Sequence, residues 1–263
     1  DDFAMEVSVN YTNNDSQVVA TNDTDGNISL DEPRERTLRV TQIVGERYGA
    51  LFGTYFNRDD QGRIIHEMSQ GYPRPSINTS RKILGFGVPP KQLGIGASFR
   101  YKNFNASFLV EGKSGGQIFS GTNVRLIGYG LHQMTVPAGG REAGFVPDGV
   151  LEDGTPVTQS LDYTQQQNYW GRYNDVAEAG IYDSDYFRMR QMQIGYTFPK
   201  DMLEGTFIEG ASVSLIGKNL FFISNSVDNV DPESAYNNNN SQGLEFAGMP
   251  VPSTVGLNVN LKF

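Results

Sequence analysis

The last eleven residues, 253–263, carry an unbroken alternation. Val255, Leu257, Val259, Leu261 and Phe263 are apolar, and Thr254, Gly256, Asn258, Asn260 and Lys262 between them are not. A period of two predicts a β-strand with one greasy and one wet face. At ~3.3 Å per residue the segment extends about 36 Å, and a tilt of ~45° projects this to about 26 Å. That matches the ~25 Å apolar band of an outer-membrane barrel. A half-buried strand of a soluble sandwich has the same alternation, so this segment alone leaves both open.

The same period recurs upstream. Phe3, Met5, Val7, Val9 and Tyr11 oppose Ala4, Glu6, Ser8 and Asn10. Leu93, Ile95, Ala97, Phe99 and Tyr101 form a second series, and Phe104, Ala106, Phe108 and Val110 a third. Met192, Ile194, Tyr196 and Phe198 close the stretch 186–198, and another runs from Phe207 to about Ile223. Weaker strands are expected at Arg36 to Val44 and Tyr48 to Phe56, making eight.

The links between them alternate in length. Short ones fall at 45–47, 102–103 and 199–206, and long ones at 12–35, 57–92, 113–185 and 224–252. Short turns on one side and long loops on the other is the outer-membrane arrangement. With Phe263 at the periplasmic end, all four long loops lie outside. A compact soluble sandwich rarely carries a link as long as 113–185. Aromatics near the strand ends, at Tyr11, Phe56, Tyr101, Phe104, Phe198 and Phe263, suit an interfacial girdle or ordinary core packing.

Composition adds exclusions. Hydrophobic residues are 38% of the 263, with 30 glycines, 13 tyrosines and 16 phenylalanines, which favours strands and polar loops over a helical bundle. Having no cysteine removes disulfides, thiolate metal sites and cysteine nucleophiles, and two histidines are too few for a multi-histidine zinc centre. A net charge of −9 disfavours nucleic acid as a partner. No window nears the ~18 apolar residues of a transmembrane helix, a test that a barrel wall escapes. The chain opens at Asp1 without an initiator Met, so the expectation is a mature form or a piece of something longer.

The strongest local motif is TNDTDGNISLDE, Thr21 to Glu32, which nearly fits the twelve-residue calcium loop. Asp23, Asp25, Gly26 and Glu32 take its third, fifth, sixth and twelfth positions, but Thr21 stands first, where Asp is expected. An ordinary Asx-Gly turn is the alternative. Tyr163, Tyr169, Trp170, Tyr173 and Tyr182 lie in the longest link, where their faces are candidates to stack on sugar rings or peptide side chains. Packing of that loop on itself competes with this reading. Asp228, Asp231 and Glu233 are expected in a solvated loop, and His66 and His132 on the loop surface. Arg188 and Arg190 begin a strand on the face that later becomes apolar, so they are expected outside the hydrocarbon. No catalytic triad, phosphate loop or nucleophile elbow is present, and no enzymatic activity is expected.

Five stretches resemble one family, the SusC/RagA-like TonB-dependent transporters of Bacteroidetes outer membranes. They are YGALFGTYFNRDDQGRIIHE, LGFGVPPKQLGIGASFRYKNFNASFLVEGKSGGQIFS, DSDYFRMRQMQIGYTFP, SVSLIGKNLFFIS with DNVDPES, and GLEFAGMPVPSTVGLNVNLKF. The resemblance implies an all-β, antiparallel transmembrane barrel of about 22 strands, plugged from inside. Residues 1–263 would supply about eight C-terminal strands, with the plug domain and TonB box elsewhere. It further implies an outer-membrane location, a SusD-like surface lipoprotein as lid, TonB as partner through the absent N-terminal part, and glycan or peptide cargo. Phe263 looks like the terminal aromatic that marks barrel proteins for assembly. Two rival functions remain on the residues alone. One is a soluble or surface all-β carbohydrate-binding or adhesin module, and the other a small outer-membrane barrel enzyme.

Overall fold

A computed structural model describes residues 2–22, 26–32, 34, 36–237 and 239–263. In chain order the first strands are β1 (Phe3–Asn13), β2 (Asn27–Asp31), β3 (Leu38–Ile43), β4 (Ala50–Phe56), β5 (Ile65–Ser69), β6 (Tyr72–Pro75) and β7 (Ile77–Phe86). Next come β8 (Lys91–Tyr101), β9 (Phe104–Ser114), β10 (Gln117–Ser120), helix α1 (Gly121–Gly128), β11 (Val150–Leu151) and helix α2 (Tyr163–Gly171). The rest are β12 (Ile181–Asp183), β13 (Tyr186–Phe198), β14 (Gly210–Asn225), β15 (Leu244–Glu245) and β16 (Thr254–Lys262). Among the described residues no helix is long and apolar enough to cross a membrane.

Six long strands make one antiparallel sheet in the order β1-β8-β9-β13-β14-β16. Successive strands of this wall are also neighbours within it. Two connections are short: a two-residue turn at 102–103, with Lys102 at φ 50°, and the segment 199–209. The other three, 14–90, 115–185 and 226–253, all leave from the opposite end.

These excursions are folded together rather than loose. β2-β3-β4-β7 form one sheet within the first. The sheet β11-β5-β6 joins the first to the second, and β12-β10-β15 joins the second to the third. The result is a cap on one end of the wall, and it holds the buried core. Leu38, Val40 and Leu51 pack with Phe119, Val124, Ala177 and Leu244, and a second cluster gathers around Trp170. Among the described residues, Ala97 and Tyr186 are the only buried hydrophobic side chains from wall strands.

All eight expected strand segments contain strand, but β3 and β4 belong to the cap sheet and not to the wall. The reason is burial on both faces: Ala50 and Leu51 are consecutive, and both are fully buried. β4 runs so close to the segment after α2 that a Cβ on Gly53 would lie 2.6 Å from the Ala177 methyl. With β3 and β4 in the cap, the expected outer loops 12–35 and 57–92 are parts of one excursion.

Candidate functional site

The sheet register assembles the strand alternations into two continuous faces. One cross-strand row reads Phe3, Tyr101, Phe104, Tyr196, Val213 and Val259. The next reads Met5, Phe99, Ala106, Ile194, Leu215 and Leu257, and the third Val7, Ala97, Phe108, Met192, Gly217 and Val255. Between them, pointing the other way, run rows such as Ala4, Arg100, Asn105, Gly195, Ser214 and Asn258. The apolar face has no protein layer over it, for Val255 and Leu257 are 70% and 69% exposed. A sandwich would bury that face. An apolar surface spanning six strands far exceeds what a water-soluble monomer leaves bare.

Aromatic rings mark the end of the wall away from the cap. Phe104 and Tyr196 are 4.8 Å apart between centroids, Tyr196 and Phe198 5.2 Å, and Phe263 stacks on Phe207 at 5.7 Å. Near the cap end, Tyr11, Phe187 and Phe221 stand exposed. Phe56 is not part of either band. It is buried in the cap, edge-on to Tyr173 at 5.3 Å.

At the top of β13 the register shifts between Met189 and Gln191, leaving Arg190 as the extra residue. A bulge of this kind reverses which side chains face which way. Arg188, which strict alternation would place on the apolar side, pairs in register with Glu111 and Phe222. Its guanidinium donates to Asp231 at 2.6 Å and to Glu233, and lies 3.9 Å above the Phe222 ring. Arg190 donates to Glu111 at 2.6 Å, to Asn219 at 2.8 Å and to Glu233 at 2.8 Å, and the Tyr186 hydroxyl donates to Glu233 at 2.7 Å. The expectation of a solvated run is therefore wrong for two of its three residues. Asp228 is exposed, but Asp231 and Glu233 clamp 226–253 onto the wall.

This clamp has a pH signature. Burial alone would raise the Glu233 carboxyl, but hydrogen bonds from Arg190 and Tyr186 and the charges of Arg190 and Arg188 outweigh it and hold the group below the ordinary carboxylate range. A depressed folded-state pKa stabilises fully above the unfolded value, ~4.3 for Glu, and that contribution disappears as pH falls through the folded value. Hydrogen-exchange protection factors within 226–253, corrected for the pH dependence of intrinsic exchange, are therefore expected to hold from about pH 7 to 5 and to fall below about pH 4, whereas Glu233→Gln, which cannot titrate, is expected to be less protected already at pH 7 and to show a smaller fall.

Burial in the cap, rather than exposure, is where the structure places Tyr169, Trp170 and Tyr173. They are 2%, 6% and 7% exposed and stack on one another and on Phe145 at about 5 to 6 Å. They form the centre of one of the two buried clusters of the cap. Burial pushes the Tyr169 hydroxyl far above the ordinary phenol range, so it stays protonated. Next to it, 3.2 Å away, is Nε2 of His66, which is fully buried and not on the loop surface as expected. Burial also lowers the His66 pKa and keeps the ring neutral. Tyr163 is exposed at the first position of α2, and half-buried Tyr182 stands apart on β12 opposite Ile118.

Of the calcium candidates, Asp23 and Asp25 lie outside the described residues. Glu32 is engaged by Arg39 at 2.9 Å, and neighbouring Asp31 accepts from Asn237 at 2.7 Å and from Ser241. Among the described residues no three His, Cys, Asp or Glu gather to hold a metal. A buried carboxylate that sequence reasoning missed is Glu245, which accepts from the hydroxyls of Ser120 at 2.7 Å and Thr122 at 2.6 Å beside the start of α1.

Known proteins share this design. No family model matches the chain. TonB-dependent receptor P3 of Formosa agariphila is 25% identical over the whole chain, which spans 27% of that receptor. TonB-dependent receptor P26 of the same organism is 24% identical over 69% of the chain and 18% of its own length. Among solved structures, the RagAB peptide importer in its closed-closed state superposes over the whole chain with a TM-score of 0.66 at 13% identity, the chain covering 28% of it. The open-open state gives 0.63 at 14% identity, covering 27%. The chain is SusC/RagA-like. Its six-stranded wall is a section of a β-barrel, open at the edges β1 and β16. In this SusC/RagA-like section, the polar rows lie opposite the apolar face and the cap sits over one rim. Phe263 closes the opposite rim against Phe207.

Proposed function

We propose that the chain forms wall and outer vestibule of an outer-membrane, TonB-dependent nutrient importer of SusC/RagA type. It spans about a quarter of the curated relative it matches over its full length, so cargo, partners and energy coupling are proposals for the whole transporter. Its role is passive in chemistry: β-strands cross the membrane, polar rows keep the path wet, and the cap forms the mouth. Glycans or peptides are the cargo, a SusD-like surface lipoprotein covers the cap, and TonB acts through parts of the transporter outside the matched quarter. Phe263 serves barrel assembly. The observation that carries this reading is the uninterrupted apolar face across six strands opposite a polar one.

The intact transporter is expected in the outer-membrane fraction, soluble only in detergent, and migrating faster on gels before boiling than after. Recovery as a water-soluble monomer with unchanged migration would overturn the reading. A soluble carbohydrate-binding module meets the difficulty that rows ending at Val255, Leu257 and Val259 would stand bare in water. An enzyme finds no support in the named relatives, which are receptors and transporters.

A further inference from the structure

Next to the cap, the apolar face of the wall ends in a row of a different kind. Asn13, Lys91 and Ser114 stand side by side in register on β1, β8 and β9. The pairing of β8 with both neighbours runs without a bulge from Tyr101 to Lys91, so Lys91 projects on the same side as Leu93, Ile95, Phe99 and Tyr101. The row beneath it is Tyr11, Leu93 and Gly112. From Tyr101 to Lys91 the strand rises about 33 Å, or about 23 Å at a tilt of ~45°, close to the ~25 Å apolar band. Lys102, with its Nζ 5.5 Å from the Tyr101 ring centroid, marks the other border of that band. Lys91 therefore stands at headgroup level on the lipid side, at the cap end.

All three side chains of the row can donate a hydrogen bond. Lys91 and Asn13 are exposed, and Ser114 is half-buried. Among the described residues, no hydrogen bond or ion pair engages the ammonium, the amide or the hydroxyl. Opposed residues on neighbouring strands have Cβ atoms ~4.5 to 5.5 Å apart, so the three can close on one small group. The row continues toward Asp185, just before β13, whose carboxylate accepts from the Gly115 amide at 2.7 Å.

We propose that this row docks the phosphomonoester headgroup of an outer-leaflet glycolipid. A phosphomonoester carries a charge of about −1.5 to −2 and three strong acceptor oxygens, which suits one ammonium flanked by an amide and a hydroxyl. A phosphodiester has a single charge and two free oxygens, so it leaves one of the three donors unused. The site is continuous with the lipid face: with the phosphate held at Lys91, acyl chains lie along Leu93 and Ile95 below it. A soluble anion gains nothing from that continuity. The proposal rests on the barrel reading, which puts this face in lipid.

The test is thermophoresis of the intact, fluorescently labelled transporter in dodecyl maltoside, titrated with mixed micelles that contain diphosphoryl lipid A. Saturable binding is expected. Lys91→Gln is expected to weaken it about tenfold, the loss of one hydrogen bond to a charged group, and Lys91→Arg to stay within about twofold. Asn13→Ala combined with Ser114→Ala is expected to cost about fivefold. Lys102→Gln, at the opposite border, is expected to change nothing, which separates a placed site from general attraction to an anionic micelle. Four outcomes would each overturn the proposal: no binding, equal affinity in Lys91→Gln, equal affinity for phosphatidylglycerol or for lipid A stripped of its phosphates, and displacement by millimolar inorganic phosphate. Fractionation and heat-modified migration decide the barrel reading separately, and a transporter that passes both yet ignores lipid A removes this proposal alone.

Discussion

Replacing Leu257 by arginine is expected to destabilise the intact barrel by about 2 to 4 kcal/mol, the depth-dependent cost of a cation near the middle of a lipid face. Leu257 is 69% exposed, and in a water-soluble protein such a substitution would change stability by less than about 0.5 kcal/mol. The neighbouring change Asn258→Arg, on the lumen side, is expected to be nearly silent. Urea unfolding of the transporter in lipid vesicles reads both. A silent Leu257→Arg alongside a damaging Asn258→Arg would mean that the faces are assigned the wrong way round.

The second large effect is expected at Arg188. Its side chain is 5% exposed and that of its partner Asp231 is 3%, so Arg188→Ala strands a buried carboxylate and costs about 3 to 5 kcal/mol. The damage is expected to be local, with hydrogen exchange rising in 226–253 while β8 and β9 stay protected. Combining Arg188→Ala with Asp231→Ala should cost less than the two single changes added together, since the second removes the charge that the first leaves unpaired. Full additivity would show that the ion pair is incidental to the docking of 226–253.

What was legible in the sequence follows from the solvent each strand meets. The wall strands face two different media, and the strict alternation that this imposes makes β1, β8, β9, β13, β14 and β16 readable to within about three residues at their ends. β16, read as 253–263, spans Thr254–Lys262. The cap strands face protein on both sides, so Ala50, Leu51 and Phe52 follow one another without alternating, and β7 went unread within a long polar link. α1 and α2 are eight and nine residues long, too short for a period of 3.6 to stand out. A signal for α2 was nonetheless present, because Asp162 and Gln165 form a reciprocal capping box. The clamp was visible only in pieces: Arg188 with Arg190, and Asp231 with Glu233, are matched charges at matched spacing. The bulge that brings them together depends on the pairing of three strands, which no local pattern encodes.

The chain contains no cysteine, so once any cysteine elsewhere in the transporter is replaced by serine, single cysteines can be introduced one at a time from 254 to 262 in the intact protein. Nitroxide labels at these sites, in bilayers, can be tested for collision with oxygen, which concentrates in lipid, and with a water-soluble nickel chelate. Labels at 255, 257, 259 and 261 are expected to collide with oxygen, and those at 256, 258 and 260 with nickel, giving a period of two along the strand. Equal shielding of the odd positions from both reagents would contradict the account, because it would mean that protein, not lipid, covers that face.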